Sequence, residues 1–171
     1  DARLLYNDKN AGSNFSVPFT NPNAWSGFSR VYVLMGERTC SASEQVINGL
    51  RGVGVDVVAI GDVTCGKPVG FNARADGCGT TYSIVNFESV NARSEGRYFD
   101  GFAPTCSVAE DLSTTIGALD DPLLVAAAYH VDNGVCPAGT AREQALSKPT
   151  STPRKRYDGA DGGERTGMRV R

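Results

Sequence analysis

Apolar residues in the first half of the chain change from strand-like to helix-like spacing and back again. Residues 30–35 read RVYVLM, a nearly continuous apolar run that is typical of a strand buried on both faces. Val46, Ile47 and Leu50 follow at helical spacing, and residues 55–60, VDVVAI, indicate a second buried strand. The pattern therefore predicts a strand, a helix and a strand in succession.

This succession predicts a parallel βαβ unit, for which a right-handed crossover is the strong default. Ser41 marks the start of the helix, and Gly52 with Gly54 marks its end, because glycine readily adopts the left-handed conformation that closes helices. The chain is therefore predicted to have an α/β fold with buried parallel strands.

Shorter elements are predicted outside this unit. Residues 4–6 indicate the end of a strand, and residues 80–87 and 97–99 indicate two further strands that a polar connection at residues 89–96 would join. Residues 108–117 have the pattern of a short amphipathic segment. These elements would complete the domain around the βαβ unit.

A late helix is predicted from its capping residues. Asp120 and Asp121 precede Pro122, which favours an aspartate cap and a proline in the first helical turn, and Gly134 ends the apolar run that follows. The cap explains the two aspartates better than a metal site does. His130, the single histidine, lies near the end of this helix, where a capping or surface role is favoured over catalysis.

Composition limits the class of protein. Of 171 residues, 40% are hydrophobic and 21% charged, as in an ordinary soluble globular domain, and no apolar run approaches the length of a membrane span. Residues 142–171 contain eight Lys/Arg and four Asp/Glu among many Ser, Pro and Gly. We therefore expect residues 138–171 to be a flexible charged extension and not a nucleic-acid-binding segment.

The cysteines allow several disulfide pairings. Five cysteines are present, no CxxC pair occurs, and a single histidine argues against a structural zinc site. Cys65–Cys78 and Cys106–Cys136 are plausible bridges that would leave Cys40 unpaired, although spacing alone leaves the connectivity open. Such bridges would require an oxidising compartment.

Ser41 has two interpretations. It begins the sequence Ser-Ala-Ser-Glu, in which Glu44 completes a capping box that satisfies N–H groups at the start of a helix without any catalysis. Alternatively, a serine at a helix N-terminus after a buried strand lies where backbone N–H groups, including that of Ala42, can bind an oxyanion. Considered alone, Ser41 is better explained as the cap.

A serine nucleophile requires a base, and Lys67 is the best-placed candidate. It lies in a compact turn after the second strand, at residues 64–68, TCGKP. Parallel strands place their C-terminal turns at one edge of a sheet, which would bring Lys67 close to Ser41. A lysine desolvated there could act as a general base, whereas alone it would be an ordinary loop residue. No cofactor is expected, since no nucleotide or metal motif is complete.

The two turns resemble those of the C-terminal processing peptidases, also called tail-specific proteases, which are Ser-Lys enzymes with a crotonase-like fold. Family members carry a Ser-Ala-Ser-Glu motif at a helix start and a Thr-x-Gly-Lys turn after the next strand. Here residues 39–44 read TCSASE and residues 64–67 read TCGK. The resemblance implies Ser41 as nucleophile, Lys67 as base and the N–H of Ala42 as an oxyanion donor.

The resemblance covers residues 30–70 closely and extends more loosely to residue 137. It departs from the family at Phe71, where glutamine is frequent, and at Pro68, where glycine is frequent. It also implies that residues 1–137 are the C-terminal part of a ClpP- and crotonase-like catalytic domain. The upstream part of that domain, which supplies a second oxyanion donor, would then be required for activity.

The function implied by the resemblance is that of a serine endopeptidase that cleaves a polypeptide, with its C-terminal region as one candidate site, through an acyl-enzyme. A catalytically silent peptide-binding or assembly module of the same fold is the alternative, and a Ser-Lys amidase or esterase is a third. The family and the cysteines together imply export, to the periplasm or the cell envelope.

Overall fold

The computed structural model describes residues 2–17 and 27–138. The strands are β1 (Ala2–Tyr6), β2 (Phe15–Val17), β3 (Arg30–Met35), β4 (Asp56–Gly61), β5 (Val69–Gly70), β6 (Arg74–Ala75), β7 (Thr81–Tyr82), β8 (Phe87–Asn91) and β9 (Cys106–Ser107). The helices are α1 (Ala42–Gly52) and α2 (Pro122–Asn133), and a 3-10 helix spans Asp8–Ser13.

The parallel βαβ unit predicted from the sequence is confirmed. Strands β3 and β4 pair in parallel over their whole length, from Arg30 opposite Asp56 to Met35 opposite Gly61, and α1 connects them. Strand β9 pairs in parallel with the end of β4, so β4 is the central strand of the order β3-β4-β9. Central position explains why residues 57–60 are buried, whereas β3 leaves Leu34 38% exposed.

Helix α1 packs through a face that is only partly apolar. Ile47 is fully buried, as its spacing predicts, but Val46 is 59% exposed and lies outside the packed face. Glu44 and Asn48 are buried instead, and Asn48 accepts a 3.1 Å hydrogen bond from the side chain of Asn91 on β8. The helix therefore joins the parallel sheet to a second sheet, partly through polar contacts.

That second sheet is antiparallel, with strand order β2-β1-β8-β5. Strand β8 includes residues 89–91, within residues 89–96, where the sequence predicted a polar connection. That prediction is therefore wrong. Ser89 and Asn91 are buried there, β1 pairs with the backbone of the strand, and Asn48 on α1 accepts a hydrogen bond from the Asn91 side chain.

Other predicted elements also differ from the structure. Residues 80–87 contain only the short strand β7, which pairs with β6, and the beginning of β8. Residues 97–99 are not a strand, since Arg97 has a positive φ of 58° that interrupts extended backbone. Residues 108–117 form turns without a helix and leave Leu112 and Ile116 exposed.

Helix α2 begins and ends as predicted. The carboxylate of Asp121 accepts a 2.9 Å hydrogen bond from the N–H of Leu123, and Gly134 closes the helix in the left-handed conformation. The expected surface position of His130 is wrong, because the residue is buried and its Nδ1 lies 3.1 Å from the hydroxyl of Tyr32. His130 therefore connects α2 to β3.

Of the predicted extension, residues 139–171 lie outside the described residues, so its flexibility stays a prediction. Within the described part of the chain, no helix has both the length and the apolar character needed to span a membrane.

Candidate active site

A disulfide joins the two turns that carry Ser41 and Lys67. Cys40 is bonded to Cys65, with Cα atoms 5.2 Å apart, and Cys78 is exposed and unpaired. The predicted Cys65–Cys78 bridge is therefore wrong, as is the prediction that Cys40 is unpaired. The predicted Cys106–Cys136 bridge is confirmed. The carboxyl ends of parallel strands lie at one edge of a sheet, which was the reason to expect Ser41 close to Lys67. The same reasoning could have predicted that Cys40 lies close to Cys65.

The carboxylate of Glu44 accepts hydrogen bonds from both turns. Its Oε1 accepts from the hydroxyl of Thr64 at 2.6 Å and from the N–H of Gly66 at 2.7 Å. Its Oε2 accepts from the N–H groups of Ser41, at 3.0 Å, and Lys67, at 2.8 Å. Glu44 is fully buried, so these four donors replace the water that an ionised carboxylate would otherwise bind.

This shared carboxylate brings the two candidate catalytic residues together. Because the backbone nitrogens of Ser41 and Lys67 both bind one oxygen, they cannot be further apart than those two hydrogen bonds combined. A backbone hydrogen bond of 3.0 Å from Cys65 to the carbonyl of Thr39 reinforces the contact. The sequence predicted Glu44 as a helix cap; its bonds to the second turn were not predicted.

Ser41 has an unusual backbone conformation. Its φ is 56° and its ψ is −110°, a combination that residues other than glycine adopt only when the surrounding structure imposes it. The chain passes here from β3 into α1, as in the strained strand-to-helix turn of a nucleophile elbow. Such a turn is a common way to present a serine side chain at the end of a sheet.

Ala42 is the first residue of α1, and the first N–H groups of a helix have no partner within it. Within the described part of the chain, no hydrogen-bond acceptor is found for the Ala42 N–H. The Ala42 side chain is small and exposed. The N–H of Ala42 is therefore chemically suited to bind an oxyanion next to Ser41.

The Lys67 turn is tightly packed. Gly66 has a φ of +79°, and a Cβ at this position would lie 2.1 Å from the carbonyl oxygen of Phe99, so only glycine fits. Lys67 is half-buried, and its ammonium lies 5.6 Å from the ring centroid of Phe71. Phe71 thus contacts Lys67. It stands at the position where the C-terminal processing peptidases, which the sequence resembles, frequently have glutamine.

Tyr98 adds a neutral polar group to this region. Burial raises the pKa of its hydroxyl, and the nearby carboxylates of Glu44 and Glu88 raise it further, against the opposing effect of the Ser89 hydroxyl. The phenol therefore stays protonated at neutral pH, and it adds no negative charge beside Glu44.

Cys40, Glu44 and Cys65 have potential metal-ligand atoms that lie within 4.8 Å of one another. The two sulfurs are bonded to each other, so they offer no thiolate to a metal. The four hydrogen bonds to Glu44 occupy the carboxylate as well. In the disulfide-bonded state this group does not fit a metal ion.

An open cleft of about 520 Å³ lies beside the Ser41 turn. Its apolar walls include Leu34, Met35, Leu112, Ile116 and Leu123. At its rim Arg38 and Glu110 form an exposed ion pair of 3.7 Å.

The fold is similar to that of a crystal structure from Bacteroides fragilis described as a "Putative S41 protease". The TM-score is 0.67 at 34% sequence identity, and the alignment covers 78% of this chain. This chain spans only 36% of the length of that protein. No family model matches the sequence, and no curated protein matches it.

Proposed function

We propose that the chain is the C-terminal part of the catalytic domain of a serine endopeptidase of the tail-specific type, with a crotonase-like fold. The S41 proteases are the C-terminal processing peptidase family, so the structural neighbour belongs to the class that the sequence motifs indicate. The observation that carries the proposal is the Glu44 carboxylate, which holds the N–H groups of Ser41 and Lys67 on one oxygen.

In the proposed mechanism, Lys67 in its neutral form accepts the proton of the Ser41 hydroxyl. The serine oxygen attacks the peptide carbonyl, and the N–H of Ala42 donates to the resulting oxyanion, together with a donor from the upstream part of the domain. As the intermediate collapses, Lys67 returns the proton to the leaving amine. Water, deprotonated by Lys67, then hydrolyses the acyl-enzyme and releases Ser41.

The partners in this proposal are a polypeptide substrate and the upstream part of the catalytic domain. The second oxyanion donor in this proposal comes from the upstream part, so we propose that the chain is inactive by itself. We also propose that the protein is exported to the periplasm or cell envelope, because the chain has two disulfides and disulfides form and persist in oxidising compartments.

The test is covalent labelling of the full-length protein with a fluorophosphonate. Wild type and the matched control Ser43→Ala are expected to be labelled, whereas Ser41→Ala is not. Lys67→Arg keeps the positive charge but cannot supply a neutral amine, so its labelling rate should fall by about 100-fold or more. Retention of label in Ser41→Ala would contradict the assignment of the nucleophile.

One observation favours a second candidate, a catalytically silent peptide-binding module of the same fold. The face of the Phe71 ring attracts the charged form of Lys67, which opposes its use as a neutral base. Absence of labelling in the full-length wild type, with a peptide still bound, would support this candidate. A Ser-Lys amidase or esterase would instead cleave small esters while leaving peptides intact.

A further inference from the structure

The Cys40–Cys65 disulfide connects the proposed nucleophile turn to the proposed base turn. Cys40 immediately precedes Ser41, and Cys65 precedes Lys67 by two residues. The other disulfide, Cys106–Cys136, lies against the core cluster beneath α2. Only the first disulfide is therefore placed to act on the candidate catalytic residues.

Ser41 lies between two separate anchors. On its C-terminal side, Glu44 attaches the first turn of α1 to the Lys67 turn through three hydrogen bonds. On its N-terminal side, the disulfide attaches Cys40 to the same turn, supported by the hydrogen bond from Cys65 to Thr39. The backbone torsions of Ser41, including its positive φ, lie between these anchors.

This arrangement explains how a strained serine conformation can persist. A non-glycine residue at a φ of 56° relaxes unless its neighbours prevent rotation. If the disulfide is opened, Glu44 still holds the helix and accepts from the N–H of Ser41, and the carbonyls of Thr39 and Cys40 keep their hydrogen bonds from Cys65 and Ser43. The covalent link between the residue before Ser41 and the Lys67 turn is then lost. The Ser41 hydroxyl would then be held less firmly relative to Lys67 while the fold persists.

The same disulfide is accessible to a reductant. Cys40, Cys65 and Cys136 are half-buried, whereas Cys106 is only 1% exposed. A reductant can therefore approach either cysteine of the first disulfide but only Cys136 of the second. A dithiol can attack one sulfur of Cys40–Cys65 as its thiolate, displace the other cysteine, and then close to its own cyclic disulfide. The two cysteines gain two electrons and two protons, and the dithiol is oxidised.

We propose that the Cys40–Cys65 disulfide positions Ser41 for catalysis and that its reduction by a dithiol reversibly lowers Ser41 reactivity. Cys40 and Cys65 are positioning residues in this scheme, since they act through Ser41 and do not touch the reacting atoms. The inference rests on the proposed function. Its structural part, the restraint of the Ser41 turn, can be measured without activity.

The first test uses the full-length protein carrying Cys78→Ser, which prevents exchange with the exposed thiol. Dithiothreitol is titrated until alkylation mapping shows Cys40 and Cys65 free and Cys106–Cys136 intact. The fluorophosphonate labelling rate at saturating probe should fall about ten-fold or more, with little change in the half-saturating probe concentration. Reoxidation should restore it. An unchanged rate at full reduction of Cys40–Cys65 would overturn the proposal.

The second test is the double variant Cys40→Ser/Cys65→Ser, compared with the disulfide-bonded protein by amide hydrogen exchange. Exchange at Ser41 and Cys65 should accelerate, whereas the amides in the middle of β4 should stay protected. Equal exchange rates at Ser41 and Cys65 in the two proteins would contradict the proposal that the disulfide restrains this turn. Failure of the proposed function has a different signature, because the oxidised protein would then be unlabelled at Ser41 from the start.

Discussion

Glu44 shows how one side chain can have both a local and a long-range role. Its position three residues after Ser41 is sufficient for a capping box, and that local role is visible in the sequence. The structure adds three donors from residues 64–67, about 20 positions further along the chain. Local spacing cannot reveal these partners, because they depend on how β3 and β4 pair.

Replacement of the Glu44 carboxylate should lower the stability of the fold. In Glu44→Gln, one carboxylate oxygen is replaced by an NH₂ group. This group faces two hydrogen-bond donors and cannot accept a hydrogen bond from either of them. Loss of two buried hydrogen bonds should lower the free energy of unfolding by about 3 kcal/mol. Urea denaturation measures this, with Glu37→Gln, an exposed carboxylate, as the unchanged control. Equal stability of the two variants would contradict the role assigned to Glu44.

At the scale of elements, the sequence pattern predicted β3, α1, β4 and α2 because each has a strong local signal. Strand β8 was missed because Ser89 and Asn91 are polar, and they become strand residues only where β1 pairs with the backbone and Asn48 on α1 accepts from the Asn91 side chain. Hydrophobic spacing also placed Val46 on the same face as Ile47. The packed face of α1 is instead shifted toward Glu44 and Asn48.

This shift predicts different costs for two neighbouring truncations in α1. Ile47 is fully buried between α1 and the parallel sheet, so Ile47→Ala should lower the free energy of unfolding by about 2–5 kcal/mol. Val46 is 59% exposed, and Val46→Ala should change it by less than about 0.5 kcal/mol. Denaturant unfolding of both variants measures the difference. A larger effect at Val46 would mean that another surface covers it.

At the scale of the whole molecule, two disulfides join segments that are distant in sequence. Cys40–Cys65 spans 25 positions and Cys106–Cys136 spans 30. The second was predicted correctly because it flanks one helical segment. The first was not, since its partners lie on either side of the entire α1 crossover and meet only when the parallel sheet forms.

The Cys106–Cys136 bridge should contribute to global stability. A loop of this length predicts a loss of about 4 kcal/mol in Cys106→Ala/Cys136→Ala, because the unfolded chain gains conformational entropy. Thermal unfolding under non-reducing conditions measures it. Cys78→Ala, which removes an exposed free thiol, is the control and should leave the midpoint unchanged.

The sequence by itself determined the βαβ unit, the capped helix α2 and the two turns with Ser41 and Lys67, because those features follow from local spacing and capping. Tertiary structure alone decided the Cys40–Cys65 pairing, the burial of Glu44 and the course of β8. These depend on contacts between residues far apart in the chain, which local pattern does not specify. The contact of Phe71 with Lys67 was likewise not predicted, because it depends on the conformation of the turn that contains both residues.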